Sequence, residues 1–179
     1  LTASPVEHVA LLIVEDELDL RDALETRLEP LCSKIFLAAN GMEALEIIKT
    51  SADLCAILSD INMPIMNGLE LLAKVRRTFN PIPFVVLTGY GDDASHQEAI
   101  RLNATDFLSK PFQGDHLAQV MKRALNYGAE LLKIEKELDV LFKSSEMTPE
   151  KLESLRRAKR TAMAMRIESS IYANLKKNT

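Results

Sequence analysis

Five times in succession the chain runs from a short apolar stretch into a segment with helical spacing, and that alternation restricts the fold more than any other feature. Val9 to Val14 is continuously apolar and ends in acids, as expected of a strand buried on both faces. Leu18 to Leu28 follows with Leu20, Ala23, Leu24 and Leu28 at helical spacing, and Pro30 stops it. Lys34 to Ala38 reads as a second strand, and Asn40-Gly41 turns the chain into a helix carrying Ala44, Leu45, Ile47 and Ile48. Leu54 to Ser59 forms the third strand and delivers Asp60 at its end. Asn67-Gly68 opens a third helix, Pro83 to Leu87 is the fourth strand, and a helix spans about 92–102. Thr105 to Leu108 is the fifth strand, with helix again from Gln113. Short connections between alternating strands and helices call for an α/β fold, a doubly wound five-stranded parallel sheet with helices on both faces. Ligands of such sheets bind outside the carboxyl ends of the strands.

Those ends carry chemistry. The first strand stops at Glu15-Asp16, the third at Asp60, the fourth at Thr88 and the fifth at Ser109-Lys110-Pro111. Taken singly, each is an ordinary helix start, turn or strand exit. Together, three carboxylates at one place repel one another unless a cation lies among them, and a hard divalent ion such as Mg2+ suits oxygen donors. Lys110 adds a point charge and Thr88 a hydroxyl. That combination stabilises charge on a transferring phosphoryl group.

Glu15-Asp16, Ser59 to Gly68 (SDINMPIMNG), Thr88-Gly89 and Phe107 to Phe112 (FLSKPF) resemble the receiver domains of bacterial two-component response regulators. The likeness covers roughly residues 8–125, with every motif in order. It implies a flavodoxin-like sheet of order 2-1-3-4-5. It also implies that Asp60 takes a phosphoryl group from a sensor histidine kinase or phosphotransfer protein, and that the chain is a regulator which catalyses its own phosphoryl transfer and dephosphorylation. Asp16, Asp60 and the backbone carbonyl of Asn62 would hold Mg2+ directly, with Glu15 reaching it through water. Lys110 would pair with the phosphate, Thr88 would turn toward it, and Phe107 would change rotamer in concert. Family members often have Tyr at the position of Phe107, and Gly at that of Asn103. Asn tolerates the left-handed conformation expected after a helix. The peptide before Pro111 is expected to be cis, as in the family.

The charge is uneven. Residues 1–125 carry 11 Lys+Arg against 18 Asp+Glu, and the remainder 11 against 8, so an acidic domain precedes a mildly basic tail of 126–179. Spacing of three and four continues through Leu117, Val120, Ala124, Tyr127, Leu131, Ile134, Leu138 and Leu141. The first half must pack on the sheet, which leaves Tyr127 to Leu141 for a partner. Gly128 weakens the helix there by roughly 1 kcal/mol relative to Ala. Ser144-Ser145 breaks the pattern and Thr148-Pro149-Glu150 starts a second helix, expected to reach about Lys176. Its many apolar positions (Leu152, Leu155, Ala158, Ala162 and Met165, with Met163, Ile167, Ile171 and Leu175) need cover from the preceding helix or a second subunit, in a helical hairpin or a coiled-coil homodimer.

The basic run Arg156-Arg157-Lys159-Arg160 reads as a salt-bridged or solvated face. Helix-turn-helix spacing is missing, so nucleic acid is not the expected partner. Cys32 and Cys55 lie in apolar surroundings and read as buried reduced thiols of a cytoplasmic protein. No apolar run approaches the roughly 18 residues of a membrane span. Leu1 to Pro5 shows no signal-peptide pattern. Three outputs remain open: a switch that alters assembly or partner binding, a DNA-binding regulator with an atypical or truncated output module, and a phosphotransfer intermediate or phosphate sink.

Overall fold

The computed structural model describes residues 9–78, 81–89, 91–144, 148–151, 153–158 and 161, with side chains through 140 and from 148. Its elements are β1 (Ala10–Val14), α1 (Leu18–Leu28), a 3-10 turn (Glu29–Leu31), β2 (Lys34–Ala38), α2 (Gly41–Thr50), β3 (Leu54–Asp60), α3 (Gly68–Arg77), β4 (Phe84–Thr88), α4 (Asp93–Arg101), β5 (Asp106–Ser109) and α5 (Gly114–Ser144). The strands form one parallel sheet in the order β2-β1-β3-β4-β5. β1, β3 and β4 are buried along their whole length. Central parallel strands covered by helices on both sides must be apolar on both faces, which is why these runs do not alternate.

One face packs Leu12, Val14, Phe84 and Val86 against Ala44 of α2, Leu71, Leu72 and Val75 of α3, and Ala99 of α4. Successive strand residues point to opposite sides, so Leu11, Ile13, Val85 and Leu87 line the other face. Leu24 and Leu28 of α1 and Leu117, Val120, Met121 and Ala124 of α5 are buried as well.

The helix starts follow their capping residues. Asn40 accepts from the amides of Met42 and Glu43. Asn67 and Glu70 form a reciprocal capping box at α3, with Glu70 N donating at 2.9 Å and Asn67 N donating back at 3.1 Å. Asp92 accepts from Ser95 N. Asn103, the residue after the Leu102 cap of α4, has φ 59°, the left-handed conformation expected there.

Strand edges differ by about one residue from the sequence expectation. β4 begins at Phe84 because Pro83 has no amide to donate, although its carbonyl still accepts from Ile57 N. β5 ends at Ser109, not Leu108, since Thr88 and Ser109 are in register.

The expectation for Gly128 is corrected. An ideal Cβ on Gly128 would lie 1.7 Å from the carbonyl oxygen of Cys55 in β3. The glycine is therefore where α5 touches the sheet, and the packed part of the helix extends past Tyr127. Residues 1–129 and 130–179 form two compact units, with α5 crossing the boundary.

The burial of both cysteines is corrected too. Cys55 is buried, but Cys32 is only half-buried, at the end of the 3-10 turn. Desolvation, helped by Cys55 and Glu29, raises the Cys32 thiol to about 11 from an ordinary value of 9. Two pH units correspond to roughly a hundredfold less thiolate at neutral pH. Iodoacetamide at pH 8 is expected to alkylate Cys32 in the native protein about 100-fold more slowly than in the urea-unfolded chain. Equal rates would refute that environment.

In the second unit, residues 149–151 and 153–158 are helical, and Lys151 N donates to the capping hydroxyl of Thr148 at 3.4 Å. Arg156 forms ion pairs with Glu135 and Asp139 of α5, and Arg157 pairs with Glu153. Part of the basic run is thus a salt-bridged face, and Arg156 fixes the second helix alongside the first. Leu131 and Leu138 are buried, Ile134 is half-buried, and Val140 is 65% exposed. The expectations for Leu1 to Pro5, for the side chain of Leu141, and for Leu152, Lys159, Arg160, Ala162, Met163, Met165, Ile167, Ile171 and Leu175 lie outside the described residues. Among the described residues no helix is long and apolar enough to cross a membrane.

Candidate functional site

Sheet register brings the strand ends together. Val14 lies beside Ser59, Asp60 beside Leu87, and Thr88 beside Ser109. Glu15, Asp16, Asp60, Thr88 and Lys110 therefore meet at the carboxyl edge, where the chain order reverses around β1 and β3. That is the place such sheets use for ligands.

Carboxylate oxygens of Glu15, Asp16 and Asp60 all lie within 4.8 Å of one another. Glu15 and Asp60 are buried, with 1% and 6% of their surfaces exposed, whereas Asp16 opens to solvent. This set of hard oxygen donors, one of them accessible, fits a Mg2+ ion that keeps waters and shares phosphate oxygens. Asn62, exposed, follows Asp60 by two residues on the β3–α3 loop, whose Ile61, Met63 and Met66 are buried.

Several contacts hold that loop. Gly68 N donates to Ile61 O at 2.9 Å, Gly41 N donates to Met66 O at 3.0 Å, and the Ser59 hydroxyl donates to Asp60 O at 2.8 Å. A Cβ on Gly68 would meet Asp60 O at 2.1 Å, so the start of α3 fits against Asp60 only as glycine. Within the loop Ile65 is 80% exposed with φ 70°, a strained conformation for a β-branched residue. The Lys110-Pro111 peptide is cis, as the resemblance implies.

Lys110 Nζ lies 3.0 Å from Asp60 Oδ1 and 3.0 Å from Glu15 Oε2. Burial opposes its charge, but hydrogen bonds and the charges of Asp60 and Glu15 outweigh burial, so its pKa is raised. Glu15 is also raised, chiefly by desolvation and further by Asp60, against the lowering effect of Lys110. The Glu15 carboxylate thus serves first as a partner of Lys110, and accepts from Glu17 N at 3.3 Å as well. Nothing in the local sequence announces that link, which joins residues 95 apart.

Thr88 is buried, and its hydroxyl hydrogen-bonds that of Ser109 at 3.3 Å. Ser109 stands two residues after Phe107 on β5, so both project from the same face, a period-two relation that could have identified it. Phe107 is half-buried against the core and packs edge-on against His96 of α4, with ring centroids 3.5 Å apart. No sequence signal singled out His96.

Comparison with known proteins agrees with this geometry. Residues 11–122 match the family model described as "Response regulator receiver domain". The transcriptional regulatory protein FixJ of Bradyrhizobium diazoefficiens is 30% identical over 125 residues, 70% of this chain and 60% of the relative. The C4-dicarboxylate transport transcriptional regulatory protein DctD of Rhizobium meliloti is 37% identical over 116 residues, 64% of this chain and 25% of the relative. This chain therefore spans less than two thirds of the length of either. Among solved structures, the receiver domain of NtrX from Brucella abortus superposes with a TM-score of 0.60 at 31% identity, covering 65% of this chain and 98% of that domain. The chemotaxis response regulator CheY4 of Vibrio cholerae also gives 0.60, at 30% identity with the same coverage. With more than half its length matching the family model and its strand ends assembled into one acidic, lysine-bearing pocket, the chain belongs to the response regulator receiver domain family.

Proposed function

We propose that this chain is a phosphorylation-controlled switch in which Asp60 accepts a phosphoryl group and the C-terminal helices carry the output. The observation that supports it most is the contact of Lys110 Nζ with Asp60 Oδ1 at 3.0 Å, beside carboxylates fit for Mg2+. An oxygen of Asp60 attacks the phosphorus of a phosphohistidine on a sensor histidine kinase or phosphotransfer protein. The P–N bond breaks, and the imidazole leaves with the electron pair and takes up a proton. Asp16, Asp60 and the Asn62 carbonyl would hold Mg2+, with Glu15 acting through water, and a bound ion would supply positive charge against the phosphoryl oxygens. Lys110 keeps its charge through the neutral range and pairs with the same oxygens. Hydrolysis of the acyl phosphate by water returns the domain to rest.

After transfer, the Thr88 hydroxyl exchanges Ser109 for a phosphoryl oxygen and Phe107 repacks. A local charge thereby biases a two-state element. The receiver comprises residues 1–125 together with the turn of α5 that packs on its sheet through Gly128, and the rest of 126–179 is a dimerising output element in the cytoplasm. Its support is the second helix, fixed by Arg156 to Glu135 and Asp139, with Val140 left exposed.

Static light scattering of the chain with Mg2+, with and without beryllofluoride, tests this output. A change of mass on adding beryllofluoride is the expected result. A mass that stays fixed would refute phosphorylation-driven assembly. The names of FixJ and DctD as transcriptional regulators favour a second reading, in which the chain acts on DNA. It requires duplex binding that weakens steeply with salt, which a titration at two ionic strengths would detect.

A further inference from the structure

The ring of His96 lies 3.5 Å from that of Phe107, centroid to centroid, with the planes at 63°. His96 stands on α4 and Phe107 on β5, so the contact joins a surface helix to the strand that borders the acceptor pocket. Both residues are half-buried, which leaves Phe107 room to reorient.

In the parallel register Phe107 lies beside Val86, and Ser109 beside Thr88, all four projecting from one face of the sheet. Thr88 and Phe107 are thus diagonal neighbours. The Thr88 hydroxyl is held by Ser109 at 3.3 Å, and turning toward a group on Asp60 requires it to leave that partner and that space. Phe107 consequently has two alternative sets of neighbours. One is the His96 ring; the other is the volume beside Thr88.

We infer that His96 is a positioning residue that holds Phe107 in its resting arrangement and so sets how readily the acceptor pocket reaches its active form. This rests on the reading of Asp60, Thr88 and Phe107 as a switch. A contact made in only one of two states shifts their ratio by its own worth, and for side chains in direct contact that is roughly 2-fold or more. A ligand that selects the other state then binds more tightly by up to the same factor.

The test uses the full chain with His96→Ala and His96→Phe, each also combined with Phe107→Ala. The aromatic carbon signals of Phe107, assigned by their loss in that variant, are recorded with and without Mg2+ and beryllofluoride, and beryllofluoride affinity is titrated. In ligand-free His96→Ala the Phe107 signal should move toward its beryllofluoride position, and affinity should rise by about 2-fold or more. His96→Phe, which keeps a ring, should restore both. In the Phe107→Ala background, His96→Ala should leave affinity unchanged. An unmoved Phe107 signal, or an affinity gain that persists without Phe107, overturns the inference while leaving the phosphoacceptor intact. Wild-type protein that binds no beryllofluoride overturns the phosphoacceptor reading itself, and His96 falls with it.

Discussion

Asp60→Asn is expected to reduce incorporation of phosphate from acetyl phosphate, in the presence of Mg2+, to background. Asn has nearly the shape of Asp but offers no anionic oxygen to attack phosphorus, and loss of a covalent nucleophile costs at least about a thousandfold. The fold should survive, because the main-chain contacts of Asp60 do not depend on its carboxylate: Asp60 O accepts from the Ser59 hydroxyl, and α3 starts against it. Lys110 also retains Glu15 at 3.0 Å, so removal of one carboxylate leaves no buried cation unpaired. The Lys110 pKa is raised, so its ion pairs contribute stability fully below its ordinary value of 10.5 and lose that contribution as pH rises through the raised value. Labelling of the wild type should therefore be free of any Lys110 titration between pH 6 and roughly 9. Radiolabel from acetyl phosphate, followed by borohydride reduction and peptide mapping, identifies the acceptor. Label that persists in Asp60→Asn on another residue would refute the assignment.

How much of this was legible in the sequence depended on whether the information was local. Val9 to Val14, Leu54 to Ser59 and Pro83 to Leu87 announced buried strands because a strand covered on both faces must be apolar at every position. Asn40, Asn67 and Thr148 announced helix starts because a capping side chain serves amides two or three residues ahead. The acidic cluster could be read as well, since strand ends of a parallel sheet meet at one edge whatever their separation in the chain.

Pairings across the sheet could not be read in the same way. Lys110 was expected to serve phosphate, and its hold on Glu15 follows from which strands lie side by side. Thr88 with Ser109 depends on a register one residue later than the apolar run of β5 suggested. His96 has no periodic or motif signal, and its contact with Phe107 depends on how α4 lies over β5. Gly128 shows the same limit from the other side. Helix propensity, a property of the residue and its immediate neighbours, marks it as a weak point. Its actual neighbour is a carbonyl 73 residues earlier in the chain.

Gly128→Ala separates these two views by sign. On propensity alone an alanine in the middle of α5 stabilises the protein by about 1 kcal/mol. The structure predicts the reverse, because the new methyl would fall 1.7 Å from Cys55 O and no flexible side chain is there to yield. Either β3 or α5 must move, and overpacking of this kind costs roughly 1–3 kcal/mol, occasionally more. With backbone on one side of the clash, the upper end applies, for a net loss of about 2 kcal/mol after the helix gain is subtracted. Urea unfolding monitored by circular dichroism measures it. Gly89→Ala is the control, since a Cβ there meets nothing within 4 Å and should change stability by less than about 0.5 kcal/mol. A Gly128→Ala protein more stable than wild type would mean that α5 does not press on β3 at this point. Destabilisation should be accompanied by slower labelling of Asp60. Cys55 and Asp60 belong to the same strand, and a strand displaced at its start moves Asp60 at its end relative to Glu15 and Lys110.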